Sequence, residues 1–295
     1  AAKSTRKSKC EGEEAFVFGL WGKCVVRIFL DQPIVVSYIA LIKPFVIQEL
    51  SRRVRIHHSC PILYRRMTSS QSFWEAARPI IDVTEKHPFL VAMVDGTLAS
   101  ENFQYYVVQD ALYLQEFGDC LRRLARNPGI SESDSQRLHA FAKGAEEAEM
   151  CLHNSFFKEW NISADGAEQM PNCLLYTSYM KQIVATRSHA QGLAVLLPCF
   201  WVYMHVGKCM LKLREELGDS VKRPPQFDAW IDMYGGDDFE RDVKDYIALV
   251  DAACQSATSD ELDQMKQHFL MSCKLEHMFW DQAIHMMKWP EIGGL

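Results

Sequence analysis

The sequence lacks any close pairing of its cysteines. Its 295 residues include ten cysteines, but none of them forms a Cys-x-x-Cys pair or a cysteine and histidine spacing of the zinc-finger kind. The ten are Cys10, Cys24, Cys60, Cys120, Cys151, Cys173, Cys199, Cys209, Cys254 and Cys273. A disulfide framework is therefore not favoured, and scattered reduced thiols are typical of a reducing compartment. We expect an intracellular protein of the cytoplasm.

Long uncharged apolar runs are absent even from the strongly apolar region, residues 16–47. Lys23, Arg27, Asp31 and Lys43 interrupt that region, so it offers no stretch of the roughly 18 uncharged residues that a membrane-spanning helix needs. The sequence therefore predicts no membrane partner.

No methionine precedes Met67, although the chain contains 13. The helical patterns also begin directly after Met67, so we hypothesise that it is the natural start. Residues 1–66 would then be an N-terminal extension, either non-native or a leader that targets an organelle, and residues 67–295 would be the catalytic domain. The arginines near position 55 suit a transit peptide, whereas the long apolar portions fit one poorly. Mass spectrometry tests this boundary, because a native peptide from residues 1–66 would contradict it.

Charge divides the chain at the same place. Residues 1–66 carry 12 Lys and Arg against 5 Asp and Glu, whereas residues 67–295 carry 20 against 33. Affinity for nucleic acid comes from clustered Lys and Arg, which the acidic main body lacks. The sequence therefore predicts no nucleic-acid partner.

No series of strand patterns follows Met67, and helical patterns follow one another instead. Turn signals such as Asp95-Gly96, Asn127-Pro128-Gly129 and Gly235-Gly236 separate them. We predict helices over 71–86, 88–95, 100–126, 131–160, 172–187, 189–217, 225–234, 236–256 and 258–287. Ser131 and Ser259 are candidate N-caps because acidic residues follow them, and Gly218 suits the end of a helix. Long helices with short connections and no heptad repeat predict one compact all-α domain.

Cys199 follows Pro198 inside an apolar segment with helical spacing. Proline fits the first turn of a helix, so Pro198 predicts a helix start or a kink at this point. Near a helix N-terminus, Cys199 would gain thiolate character, as a nucleophile requires. The alternative is a buried, unreactive core thiol, which is common for cysteine.

Acidic residues also interrupt two aromatic helix faces. Asp110 follows a run of aromatic and apolar residues, and Tyr113 lies three residues later on the same side of the helix. Glu276 shares a face with Phe269, Ser272, Cys273 and Trp280. A carboxyl group in an apolar pocket has a raised pKa and can transfer protons near neutral pH. The alternatives are a surface position for Asp110 and a structural pairing of Glu276 with a buried cation.

Two further segments place tyrosines where a cavity could use them. Tyr234 precedes Gly235 and Gly236, which would let the backbone turn tightly after a helix and present the tyrosine hydroxyl. Tyr176 lies in the segment Tyr176-Thr177-Ser178-Tyr179. Each segment alone is a weak signal.

Seven ordered segments together resemble the TenA family, the thiaminase II or aminopyrimidine aminohydrolase enzymes. They are HPFLVAMVDGTL (87–98), FQYYVVQDALYL (103–114), EEAEMCLH (146–153), YTSYM (176–180), LLPCFWVYMHVGK (196–208), WIDMYGGDDF (230–239) and LEHMFW (275–280). The resemblance runs from about Ser72 to Trp289 and includes the cysteine of the LLPC motif. It implies an all-helical, heme-oxygenase-like fold without heme, no cofactor and no metal, and a homotetramer.

The resemblance also implies a reaction and roles for individual residues. TenA-like enzymes replace the substituent on the exocyclic methylene group of an aminopyrimidine with water, in the salvage of thiamin. Cys199 matches the nucleophile, Asp110 the pyrimidine-binding aspartate and Glu276 the glutamate that protonates the ring. The tyrosines that match the substrate-binding positions are Tyr113, Tyr176, Tyr203 and Tyr234.

Two rival classes remain open at this stage. A metal-dependent oxygenase could use the clustered Glu and His residues, but no histidine follows a glutamate by three residues, as a di-iron bundle requires. A heme protein would need an axial histidine such as His87, which the His-Pro-Phe motif gives a structural role instead. A non-catalytic binding protein is the other alternative.

Overall fold

Nine α-helices occupy most of the residues that the computed structural model describes, which are 69–145 and 156–292. They are α1 (Ser69–Thr84), α2 (Pro88–Asp95), α3 (Ser100–Ala125), α4 (Glu132–Gly144), α5 (Pro171–Thr186), α6 (His189–Leu217), α7 (Pro225–Gly235), α8 (Asp237–Ser256) and α9 (Ser259–Ile284). A short 3₁₀ helix, Gly218–Ser220, follows α6, and residues 156–160 are also helical. These ranges contain no strand, so the predicted all-α fold class is confirmed.

The predicted helix limits agree with the observed ones within three residues, except in one case. The helix predicted over 131–160 is α-helical as α4 up to Gly144 and again helical at 156–160, and residues 146–155 lie outside the described residues. The predicted boundary at Met67 and the apolar region 16–47 also lie outside them.

Side chains cap the starts of four helices, α2, α4, α6 and α9. The Ser131 hydroxyl accepts the backbone N–H of Asp134 at the start of α4, as predicted. The prediction of Ser259 as an N-cap is wrong, because the Thr258 hydroxyl accepts the N–H of Glu261 and Ser259 is already helical. Gly218 ends α6 with a φ of 64°, a conformation that glycine adopts without strain.

The central helix α6 packs against α5, α7, α8 and α9. It is long and apolar enough to cross a membrane, but 72% of its most apolar window is buried inside the protein. Its apolar character is therefore explained by its place in the core.

Pro198 lies in the interior of α6 rather than at its start. Of the two predicted alternatives, a helix start and a kink, the helix start is wrong, because the tertiary contacts of α6 outweigh the local cost of a proline inside it. Pro198 provides no N–H for the preceding turn, and side chains from neighbouring helices bond to carbonyl groups of that turn. Ser272 donates to the carbonyl of Val195 at 2.8 Å, and Tyr246 donates to that of Leu193 at 3.2 Å.

Glycine allows α6 and α7 to approach each other closely. A Cβ atom at Gly207 would lie 2.5 Å from the carbonyl carbon of Tyr234, and one at Gly235 would lie 2.3 Å from the Leu211 side chain. Gly236 has an extended backbone that any residue adopts. Only Gly236 separates the end of α7 from the start of α8, so the tight turn predicted for this glycine pair is confirmed. Gly235 also serves helix packing.

We expect Gly207→Ala to lower the free energy of unfolding by about 1–3 kcal/mol, because the added methyl group would push α7 away from α6. Urea denaturation measures this change. Gly144→Ala is the matched control, because a Cβ there meets nothing within 4 Å and alanine favours helix. Equal effects of the two substitutions would contradict the packing role of Gly207.

Candidate active site

A buried carboxyl group on α9 is the chemical centre of the site. Glu276 is 1% exposed, and the Tyr176 hydroxyl on α5 donates a hydrogen bond of 2.7 Å to its Oε1 atom. Burial raises the pKa of Glu276 to about 8, the Tyr176 hydrogen bond lowers it, and the charge of Asp110 raises it. Among the described residues, the groups that shift this pKa include no cation, so the pairing with a buried cation is not supported. Glu276 can therefore hold a proton at neutral pH.

The predicted inward face of α9 is observed. All five of its members are buried: Phe269, Ser272, Cys273, Glu276 and Trp280. Helical periodicity was sufficient to place this carboxyl group in the core.

Asp110 on α3 belongs to the same buried cluster. It is 2% exposed, which contradicts the alternative of a surface aspartate. Its charge raises the pKa of three residues on other helices, which are Glu276 on α9, Tyr203 on α6 and Cys173 on α5. Asp110 therefore lies where helices from several parts of the chain converge.

Tyr113 lies on α3, the helix of Asp110, and contacts the tyrosine that bonds to Glu276. Its ring centroid lies 4.9 Å from that of Tyr176, the tyrosine that bonds to Glu276. Burial raises the pKa of Tyr113 well above the usual value for tyrosine, and the charge of Cys199 is the next largest cause. Both tyrosine hydroxyl groups therefore stay protonated. That of Tyr176 donates to Glu276, whereas that of Tyr113 is buried without a hydrogen-bond partner among the described residues.

Cys199 lies between this cluster and solvent. It is partly exposed and lines a cavity of about 600 Å³ whose wall includes Phe117, Phe141, Phe200, Met233 and Phe239. On the other side, its charge raises the pKa of Tyr113 and of Tyr176. Cys199 is therefore not the fully buried thiol considered as the alternative.

The proposed electrostatic origin of thiol reactivity needs correction. Cys199 is the eleventh residue of α6, so it is far from the positive partial charge of the helix N-terminus, which acts only within the first turn. Any activation of this thiol must come from neighbouring side chains.

The two remaining predicted tyrosines form an aromatic layer beside Asp110. The rings of Tyr203 and Tyr234 lie 4.9 Å apart, and that of Tyr203 lies 5.2 Å from Trp280. Both are buried, and neither they nor Asp110 and Glu276 line the cavity at Cys199. The structure thus brings all seven predicted residues into one connected region, with Cys199 at its solvent side.

Sequence reasoning missed Tyr106 and Phe279. The Tyr106 hydroxyl lies 3.4 Å from that of Tyr203 and accepts the indole N–H of Trp230. Phe279 packs edge-on against both Tyr106 and Tyr113. The signal for Tyr106 was its position four residues before Asp110, which puts both on one helix face.

Glutamine side chains from two helices hold the start of α5, whose N-cap residue Met170 provides no side-chain bond. Gln282 on α9 accepts the N–H groups of Asn172 and Cys173 through one oxygen, both at 3.1 Å. Gln109 on α3 accepts the N–H of Met170 at 2.7 Å. The helix that carries Tyr176 is therefore fixed by the helices that carry Glu276 and Asp110.

His87 has the structural role predicted for it. Its Nδ1 atom accepts the N–H of Phe89 at the start of α2, and its Nε2 atom lies 3.1 Å from the Asp281 carboxylate. Burial lowers the pKa of His87, so the neutral ring donates to Asp281 through Nε2. Both ring nitrogens are thus engaged within the fold, which does not favour an axial heme ligand.

We expect Tyr176→Phe to raise the pKa of Glu276 by about one unit, because the lost hydrogen bond stabilises the carboxylate more than the acid. Carbon-13 NMR of labelled glutamate measures this titration. Tyr179→Phe on the same helix is the control, since its hydroxyl bonds to His268 instead. An unchanged pKa in Tyr176→Phe would contradict the hydrogen bond.

Taken together, these features define an all-helical enzyme in which a thiol and a buried carboxylic acid adjoin one aromatic cluster. The TENA/THI-4/PQQC family model matches residues 74–286, and the chain belongs to this family. The predicted family and the predicted enzyme class, a hydrolase of C–N bonds, are confirmed.

Curated relatives support the same assignment. An aminopyrimidine aminohydrolase from Bacillus subtilis (strain 168) is 33% identical over 214 residues, which cover 70% of this chain and 85% of the relative. An enzyme of the same name from Halalkalibacterium halodurans is 31% identical over 233 residues, which cover 77% of this chain and all of the relative.

Solved structures share the fold. A TenA homologue from P. horikoshii OT3 superimposes with a TM-score of 0.66 at 22% identity, covering 74% of this chain and 99% of its own. A domain with a heme oxygenase-like fold from Shewanella denitrificans OS217 gives a TM-score of 0.57 at 13% identity, covering 74% and 90%.

Proposed function

We propose that this protein is an aminopyrimidine aminohydrolase of thiamin salvage. It replaces the amino group on the exocyclic methylene carbon of 4-amino-5-aminomethyl-2-methylpyrimidine with a hydroxyl group from water. The observation that carries this proposal is the buried Glu276, which holds a proton near neutral pH in the cluster that adjoins Cys199. The names of the two curated relatives support the substrate class.

The chemistry requires an acid and a nucleophile on one ring. An electron-rich aminopyrimidine resists addition until a ring nitrogen is protonated, so the acid must act together with the thiolate. Glu276 gives its proton to the ring nitrogen while the sulfur of Cys199 forms a bond to a ring carbon. The thiol proton passes to the exocyclic amine, and Asp110 assists this transfer.

Water then replaces ammonia. The exocyclic C–N bond breaks and ammonia leaves. Water then adds to the methylene carbon and gives up a proton to Asp110, which passes it to the sulfur when the C–S bond breaks. The C–S bond breaks, the ring nitrogen returns its proton to Glu276, and the thiol is restored. Overall, one amine and one water become one alcohol and one ammonia, and no other reactant is needed.

Substrate recognition falls to Asp110 and the tyrosines. The carboxylate of Asp110 offers two acceptor oxygens, which suit the amino group and the neighbouring protonated nitrogen of the ring. Aromatic rings favour a flat heterocycle through stacking. We assign this role to Tyr113 beside the thiol and to Tyr176, Tyr203 and Tyr234 around the ring.

A comparison of three substrates tests the proposal. Purified protein is assayed with thiamin, the aminomethyl pyrimidine and its formylated precursor, and the hydroxymethyl pyrimidine product is measured by chromatography. We expect the hydroxymethyl product from the aminomethyl pyrimidine, with equimolar ammonia. Binding without product in calorimetry would favour the non-catalytic alternative, whereas stoichiometric iron or a Soret band would favour an oxygenase.

The proposal includes a homotetramer, as the resemblance to the family implies. It also includes a cytoplasmic location, as the scattered cysteines predict. Light scattering coupled to size-exclusion chromatography measures the mass in solution. A monomer at assay concentration would contradict the tetramer without affecting the assigned reaction.

A further inference from the structure

Three side chains of different chemistry converge where the end of α1 meets α6. The Nε2 atom of His205 lies 2.9 Å from Oε2 of Glu85 and 3.6 Å from Sγ of Cys209. The third distance, from Sγ of Cys209 to Oε2 of Glu85, is 3.9 Å. None of the three residues has a part in the proposed reaction.

This arrangement does not suit a nucleophilic triad. In such a triad the histidine uses one ring nitrogen for the nucleophile and the other for the orienting carboxylate. Here Cys209 and Glu85 both approach the same nitrogen of His205. Three donor atoms of these types that all lie within 3.9 Å of one another are instead suited to bind one metal ion.

The distances between the three donor atoms are close to those around tetrahedral zinc. Zinc bonds of 2.0–2.3 Å to nitrogen, oxygen and sulfur place neighbouring ligand atoms about 3.4–3.6 Å apart. The observed separations of 2.9, 3.6 and 3.9 Å differ from this range by no more than half an ångström. We infer that Glu85, His205 and Cys209 form a binding site for Zn²⁺ or a similar borderline-soft divalent cation.

The surroundings support this inference. His205 and Cys209 are four residues apart on α6, so they share one helix face. The Trp74 ring contacts the His205 ring edge-on, with 5.2 Å between the ring centroids, and stacks on the Trp201 ring at a centroid distance of 4.5 Å. These contacts restrict the rotation of the His205 imidazole. Such fixed ligands lower the entropic cost of binding an ion.

Charge and access also fit a divalent ion. A thiolate and the Glu85 carboxylate balance two positive charges, while Lys86 lies 3.8 Å from the other oxygen of Glu85 and leaves Oε2 for the metal. The side chains of Glu85 and His205 are 22% and 24% exposed, so the ion can enter from solvent. Within the described part of the chain the cluster supplies three ligands, and water would complete the tetrahedron.

A second cluster provides a matched control. His87, His277 and Asp281 also place donor atoms within 4.8 Å of one another, but it contains no thiol and His87 already caps α2. Substitution of His277, whose side chain is about as exposed as that of His205, therefore removes a potential metal ligand without changing the proposed site.

Cobalt titration of the tag-free full chain, stripped of metal by a chelator and kept reduced, tests the inference. Co²⁺ replaces Zn²⁺ in such sites and gives a near-ultraviolet band when a thiolate binds it. We expect this band to saturate at one equivalent of Co²⁺ and to disappear when Zn²⁺ is added. Cys209→Ser should abolish the band, and His205→Ala should weaken Co²⁺ affinity at least tenfold.

The controls identify which thiol binds the metal. Cys199→Ser and His277→Gln should keep both the band and its saturation point. A band that survives in Cys209→Ser, or one that disappears in Cys199→Ser, would overturn the assignment, as would the absence of any thiolate band in the native protein. Circular dichroism confirms that each variant is folded, and the outcome is independent of the hydrolase assay.

Discussion

Cys199→Ser should lower kcat/KM for the aminomethyl pyrimidine by about 10³-fold or more, because the hydroxyl is a far weaker nucleophile at neutral pH than the thiol. The measurement is the steady-state rate of formation of the hydroxymethyl product. The substitution removes one sulfur atom from the edge of the cluster and leaves Asp110 and Glu276 in place. We therefore expect calorimetry to find substrate binding within about tenfold of the native affinity.

Cys254→Ala is the matched control for this experiment. Cys254 is a buried thiol near the end of α8, outside the cavity and the acidic cluster. Its replacement should cost about 1 kcal/mol of stability and leave the rate within twofold. A Cys199→Ser enzyme as active as the native one would remove the nucleophile assignment, whereas equal losses in both variants would indicate a general effect of thiol removal.

Glu276→Gln should lower kcat/KM by about 10²–10⁴-fold, the usual contribution of a positioned proton donor. Glutamine keeps the shape of the side chain and can still accept the hydrogen bond from Tyr176. What it lacks is a proton to give to the ring. In the native enzyme, kcat/KM should fall as pH rises through about 8, where Glu276 loses its proton.

The same substitution should change how stability depends on pH. The pKa of Glu276 is about 8 in the folded protein against an ordinary value of 4.5, so the folded state binds more protons than the unfolded state between these values. The free energy of unfolding of the native protein should therefore fall across this interval, by at most about 5 kcal/mol. Glu276→Gln removes that contribution.

Urea denaturation of both proteins at pH 5, 7 and 9 measures the difference. The difference in free energy of unfolding between Glu276→Gln and the native protein should grow in favour of the variant from pH 5 to pH 9. Other titrating groups are common to both proteins and cancel. A constant difference would show that Glu276 titrates near its ordinary pKa, and the proton-donor role would then be lost.

Local patterns were enough to predict most of the fold. Apolar spacing placed the helices, Ser131 was a correct N-cap, and periodicity put Glu276 inside the protein. These features depend on residues within a turn or two of one another. The seven predicted site residues came from the resemblance to the family, and their assigned roles stay predictions.

Contacts between distant residues were beyond such reasoning. Pro198 was predicted to mark a helix start or a kink, because the sequence does not show that Ser272 and Tyr246 bond to carbonyls of the preceding turn. The approach of Glu85 to His205 joins residues 120 positions apart, and the Gln282 bonds to α5 join residues about as far apart. Only the packing of helices brings these groups together.

The attachment of α5 to α9 has a consequence for protein engineering. Glu276 and Gln282 lie on the same helix, one bonded to Tyr176 and the other to the first N–H groups of the helix that carries Tyr176. A designer who transplants the proton donor into another helical scaffold must therefore transfer the glutamine and the start of α5 as well. The smallest structure that would keep Glu276 in its hydrogen-bonded environment is the pair of helices α5 and α9, rather than a single side chain.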